Sequence, residues 1–311
     1  IKRGPDVMDM PKRSGVVKET IKLFHEDNFA KLPQLTMAWP TVEQYHPDSY
    51  PLIFLSLYLT QGKKAPFYKV IVEEKKLAAG TSMFHRESEL AGNMHLIIRA
   101  FAEKDLDHVM AAVNEAFARF EKEGISVKDL DRIKAGEETQ FYNSLSSVLG
   151  KSNVLAQYNI FAGDPGYVEK DIKNILSVTP ADVIRVYEKY IKGKHAVVLT
   201  VVPKGKPELK ARPDNYKIPD HKPGAEESPE YKNLVVRKAV DNFSRAKHPD
   251  AGPTPAVVPP GIWRNKFSNG LQLIGTQSFE VPRTYMMLTV SAGHRQEDTA
   301  QAGVAMLLVK M

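Results

Sequence analysis

The sequence contains no cysteine. Disulfides, thiolate metal sites and cysteine nucleophiles are therefore excluded together, while compartment stays open, because cytosolic and periplasmic chains alike can lack cysteine. No apolar run reaches the length of a membrane span. Ile1-Lys2-Arg3-Gly4-Pro5 opens without the apolar region of a signal peptide. An initiator Met is missing too, which suggests a fragment or a processed chain. The nine histidines include no pair closer than His85 and His95, so neither H-x-x-E-H nor H-E-x-x-H occurs. A basic stripe with interleaved aromatics is also lacking. The 43 basic and 37 acidic residues are interspersed, so the net charge of +6 describes a mixed solvated surface and implies no nucleic-acid partner.

What is present is the composition of a globular chain, 42% hydrophobic and 26% charged over 311 residues, enough for one large domain or two smaller ones. Eleven of the 21 prolines lie between Pro203 and Pro260. Proline fixes φ and removes a backbone donor, so this stretch is read as an extended linker, 204–261, with one short strand at Leu234-Val235-Val236.

Ahead of the linker, strands and helices alternate. Val16 to Phe24 alternates apolar and polar residues as a half-buried strand does. Gln34 to Trp39 reads as a second strand, stopped by Pro40. Asp48 or Ser49 can cap the next helix, with Pro51 in its first turn and Leu52, Leu55 and Leu59 as core packing. A short helix from Phe67 to Lys76 follows, then strands at Ala78 to His85 and Asn93 to Ala102. From Lys104 the period turns helical: Val109, Ala112, Val113, Ala116, Phe117 and Phe120 form one stripe that Gly124 ends. Ser126 and Asp129 start a long helical segment running past Leu145 and Leu155, broken by Gly163-Asp164-Pro165-Gly166. Thr179 begins a last helix to Tyr190, and Ala196 to Val202 is a strand. After the linker, Phe267-Ser268-Asn269-Gly270-Leu271 is a strand–turn–strand signature. Leu288 to Ala292 reads as a strand, and Asp298 or Thr299 caps a helix to Met311.

Two local features attract chemistry without carrying it. His85-Arg86-Glu87 places His and Glu on one strand face, but without a second histidine it reads as a loop or hairpin tip rather than a metal site. His294 reads as an exposed turn residue.

Phe267 to Leu271, then Val290-Ser291-Ala292-Gly293-His294-Arg295-Gln296-Glu297, then Gln301-Ala302-Gly303-Val304-Ala305 resemble the opening of a pitrilysin/insulinase-type zinc peptidase domain. Residues 1 to 203 resemble that family's other recurrent domain, through Phe67-Tyr68-Lys69-Val70, Ser177 to Val183 and the closing strand Val197 to Pro203. The resemblance implies an α+β fold: a mixed, mostly antiparallel sheet with helices packed on one face. It also implies a division into 1–13 (tail of a preceding domain), 14–203 (a non-catalytic domain), 204–261 (the linker) and 262–311 (the start of a degenerate second domain of the same kind).

In this family an inverted H-x-x-E-H helix holds zinc and supplies the general base. The matching positions here are Met306, Val309 and Lys310, a thioether, an aliphatic and an ammonium, so the resemblance implies no catalytic residue and no metal in this chain, with zinc in the full-length parent. A family Arg/Tyr pair that meets substrate would fall near Val72 and Ala79, and neither residue type is there. The function so implied is a non-catalytic substrate-chamber or scaffold portion of a zinc-dependent metalloendopeptidase. The alternative is a non-peptidase scaffold subunit of the same family, as in processing-peptidase or respiratory-complex core proteins. Implied partners are the neighbouring domains of the same polypeptide and peptide substrate. A homodimer and a bacterial periplasmic or envelope location are compatible with the resemblance.

Overall fold

The computed structural model describes residues 10–211, 214–217, 235, 244, 247–248, 250, 252–254, 256 and 258–311. Apart from Val235, the strand expected at 234–236 lies outside the described residues. The chain divides into two compact units, Ile1–Pro259 and Pro260–Met311.

The first unit is an α+β domain built on a five-stranded sheet of order β1-β5-β2-β4-β3. Its strands are β1 (Ile21–Asp27), β2 (Gln34–Thr41), β3 (Ser82–Glu87), β4 (Gly92–Arg99) and β5 (Val197–Pro203). Only β1 and β5 run parallel; the other pairs are antiparallel. Alternation decides which face is covered. On β2, Leu35, Met37, Trp39 and Thr41 are buried between half-buried neighbours, and on β4 Met94, Leu96 and Ile98 are fully buried. The register sets Met37 opposite Leu96 and Val198, so the inner face is continuous across the sheet.

Helices cover that inner face. α1 (Ser49–Thr60) is apolar on nearly every side, with Leu52, Phe54, Leu55 and Leu59 buried, and packs against β3, α3 and α6. α2 (Leu106–Glu123) buries the stripe from Val109 to Phe120; Asp105 caps it by accepting from the Asp107 N–H, and Gly124 ends it at φ +67°. α6 (Pro180–Tyr190) opens with a complete capping box between Thr179 and Asp182. Phe67 is fully buried with its ring edge-on to Phe117.

Several elements differ from the sequence reading, each for a local reason. β2 continues through Pro40 to Thr41. β5 pairs β2 only from Gln34 to Ala38, so at Pro40 the strand has lost one neighbour, and a residue without an N–H is tolerated there. β1 starts at Ile21 rather than Val16, where its N–H first meets the Ala196 carbonyl. β3 starts at Ser82; Ala78 makes only an isolated bridge to Ala100. The segment at 67–76 is a π-helix, Tyr68–Glu74, whose wider turn has the Lys75 N–H on the Val70 carbonyl. The long helix divides into α3 (Val127–Ser144) and α4 (Val148–Gln157), because Ser147 accepts from the Gly150 N–H and starts a new helix. α5 (Val168–Ser177) was not anticipated. Past β5 the chain stays packed on the domain: Pro207–Leu209 forms a 3₁₀ turn, and Leu209 and Ala211 are buried.

The second unit holds the hairpin β6 (Ile262–Lys266) and β7 (Gln272–Thr276), joined at Phe267–Leu271 with Gly270 at φ +87°, as the Asn-Gly signature demands. The strand expected at Leu288 to Ala292 is absent; that segment has no ladder partner among the described residues and is exposed. The helix to Met311 is a 3₁₀ turn, Thr299–Gln301, then α7 (Val304–Lys310), separated at Gly303, φ +103°. No described helix is long and apolar enough to cross a membrane.

Candidate functional site

The chemistry of the first unit concentrates where the start of α1, the end of β3 and the helices α3 to α5 meet. Strand period places Met83, His85 and Glu87 on the inner face together. The His-x-Glu pair is thus no loop or hairpin tip: at the end of β3 the His85 side chain is fully buried and that of Glu87 half-buried, while Arg86 between them turns outward. Ser49 Oγ donates to Glu87 Oε2 at 2.5 Å. His85 Nε2 lies 2.8 Å from Thr41 Oγ1, while His85 Nδ1 faces Glu87 Oε1 at 3.8 Å and has no hydrogen-bond partner.

A second carboxylate comes from α5. Asp171 accepts from the Tyr50 hydroxyl at 2.7 Å and from the Tyr158 hydroxyl at 2.8 Å. Tyr45 holds a left-handed backbone, φ +63°, which is uncommon for an aromatic residue, and packs its ring against Tyr158 and Tyr167 at 5.5 and 5.2 Å. Between these groups lies a cavity of about 270 Å³, lined also by Ile53, Glu137 and Phe141 and opening past the exposed Ser144 and Gln157.

Burial sets the protonation states. It pushes the Glu87 carboxyl up to about 7; the Ser49 hydrogen bond opposes this and the Asp171 charge adds to it. Burial raises Asp171 against its tyrosine hydrogen bonds, and raises Glu137 as well. It lowers His85 to about 4, with His95 contributing. At neutral pH the imidazole is therefore uncharged, and Glu87 sits between its two forms.

Asp48, one residue before α1, shows the opposite solution. Burial opposes its ionisation, but Lys189, Tyr190 and Arg185 donate to it at 2.7, 2.7 and 2.6 Å and hold the carboxyl well below its usual range. A second cavity of about 280 Å³, beside Trp39, Phe117 and Tyr187, has its charge matched too, since Glu121 accepts from Tyr187 and pairs with Lys192.

The positions singled out by the family resemblance lie elsewhere. Val72 is half-buried in the π-helix and Ala79 is exposed ahead of β3. Met306, Val309 and Lys310 sit exposed on α7 in the second unit. A thioether, an aliphatic and an ammonium do not fit a zinc ion: one is a poor ligand, one has no donor atom and one repels a cation. Among the described residues no three His, Cys, Asp or Glu side chains converge as a metal site. His294 is in an exposed turn. The residues that build the cavity were missed. One signal was available: Asp171 shares a helical face with Val168 and Ile175, an acid set among apolar positions.

The fold has clear relatives. Residues 2–137 match the family model described as the peptidase M16 inactive domain. A protease from Helicobacter pylori superposes with a TM-score of 0.57 at 17% identity, over 64% of this chain and 48% of its own. A peptidase M16 inactive domain from Pseudomonas fluorescens gives 0.53 at 15% identity, over 68% and 48%. Complex III2 from Candida albicans contains a chain that gives 0.50 at 12% identity, over 59% and 46%. No curated protein matches by sequence. The chain spans about half the length of the first two of these solved chains. The family match covers under half of this chain, and the solved structures share its fold.

Proposed function

We propose that this chain is a non-catalytic part of a zinc-dependent metalloendopeptidase, supplying substrate-chamber wall and peptide-binding surface while the zinc-bearing domain lies elsewhere on the same polypeptide. In this reading residues 1–13 end a preceding domain, 14–203 are the inactive domain, 204–261 the linker, and 262–311 open a degenerate second domain. The observation that carries it is the pairing of an inactive-domain match at 2–137 with a zinc-motif position occupied by Met306, Val309 and Lys310. The second unit adds support. Trp263, Phe279, Met286 and Leu288 are all exposed, more apolar surface than a small unit keeps without further polypeptide against it.

The test is a fluorescently labelled unstructured peptide mixed with this chain and zinc. Binding without cleavage is the expected result; cleavage abolished by a chelator contradicts the proposal. A second reading, a scaffold subunit without peptidase activity in its parent, is favoured by the likeness to a chain of complex III2. It predicts no peptide binding and no H-x-x-E-H in the natural gene upstream of Ile1.

A further inference from the structure

We propose that the cavity between α1, β3, α3 and α5 is a subsite for one basic side chain, arginine or lysine, of a peptide held by this domain; the inference rests on the peptide-binding role proposed above.

Three carboxyls face this one space: Glu87 from β3, Asp171 from α5 and Glu137 from α3. Among the described residues neither Glu87 nor Asp171 forms an ion pair with a lysine or arginine. The contrast with Asp48 is direct, since that carboxylate, just before Ser49, collects two cations. Buried acids are ordinarily paired. Asp171 is held only by hydroxyls, one tyrosine donor to each oxygen with a lone pair to spare, and Glu87 by the Ser49 hydroxyl and the Tyr45 backbone N–H.

His85 supplies an independent sign. Its imidazole is completely buried, yet Nδ1 has no partner and is directed at Glu87 Oε1 from 3.8 Å, too far for a hydrogen bond. A buried ring nitrogen without a partner, directed at an oxygen of the cavity-lining Glu87 that it does not reach, marks a place where a donor is missing. A guanidinium or ammonium group brings several donors.

The remaining walls suit the same guest. Tyr45, Tyr50 and Tyr158 line the cavity, and aromatic faces attract cations, arginine most of all because its plane also stacks. At about 270 Å³ the space takes one side chain and no peptide backbone. The groups around Glu87 are Ser49 and Tyr50 from α1, Tyr45 from the preceding loop, His85 from its own strand, Glu137 from α3, Tyr158 after α4 and Asp171 from α5; none is a cation at neutral pH. An entering cation therefore favours ionised Glu87 and expels its proton to solvent.

The experiment uses the full chain and two labelled neutral peptides, identical except that one carries a central arginine and the other citrulline, its uncharged isostere. Fluorescence anisotropy is expected to show the arginine peptide binding about ten-fold more tightly, with the preference growing from about pH 6 to 8 as Glu87 ionises. General attraction cannot produce this, because the chain's own net charge is +6. Glu87→Gln and Asp171→Asn should each erase most of the preference. Equal binding of the two peptides by the natural chain overturns the subsite, even if the variants fail to fold. Failure of both peptides to bind overturns instead the peptide-binding role beneath it.

Discussion

Glu87→Gln should make this domain more stable at high pH and leave it almost unchanged at low pH. In the folded chain the carboxyl sits at about 7 against an ordinary glutamate value of 4.5. The folded state thus holds a proton that the unfolded state has already released between these values. The stability this proton contributes is fully present below about pH 4.5 and is lost as pH rises through 7. At about 1.4 kcal/mol per pH unit, the loss approaches roughly 3 kcal/mol by pH 8. The glutamine keeps an oxygen to accept from Ser49 and carries no charge, so it escapes that loss. Ser49's proton is already shared with the carboxylate, so the observed gain at pH 8 should be about 1–3 kcal/mol. Urea unfolding of the full chain at a series of pH values between about 5 and 8 reads this as two curves that separate with rising pH. The midpoint of thermal unfolding should move by about 2–4 °C per kcal/mol for a domain of this size. Asp171, also raised by burial, leaves a residual slope of the same sign in the variant. Equal destabilisation of the variant at every pH would refute the reasoning, since it would mean that an ionised Glu87 is required by the fold.

Two further substitutions test other joints of the same domain. Asp48→Ala removes the anchor of Arg185, Lys189 and Tyr190 and should cost about 2–3 kcal/mol in urea unfolding near neutral pH. Because the folded carboxyl is held low, its contribution is present above the ordinary carboxylate range and lost as pH falls below about 4, so natural chain and variant should converge in acid. Gly92→Ala drives a methyl group into the Val42 carbonyl oxygen and to 2.9 Å from His85 Nε2, and should destabilise by about 3 kcal/mol or more, seen as loss of folded protein on expression or a large fall in unfolding midpoint.

Much of the fold was legible because the informative residues act locally. The stripe from Val109 to Phe120 names its helix and its buried face at once, and Thr179 with Asp182 marks a helix start within four residues. Strand ends were harder, since β1 begins where a partner 175 residues later supplies a carbonyl, as the Thr20–His195 contact beside it shows. The cavity was not legible. Tyr50 and Asp171 meet across a separation of 121 residues, and nothing around either announces the other. The inward turn of His85 and Glu87 followed from strand period, yet its burial depended on α1 and α5 closing over it. Conversely, the apolar run at Leu288 to Ala292 suggested a strand where no neighbouring strand pairs with it, because pairing is a tertiary property that composition does not encode.

A thioether, an aliphatic and an ammonium at Met306, Val309 and Lys310 leave α7 without the donors that a zinc ion needs. Equilibrium dialysis of this chain against zinc, with metal counted per polypeptide, tests it most directly. No stoichiometric zinc is expected. One tightly held ion per chain, lost when residues 306–310 are replaced by alanine, would contradict it.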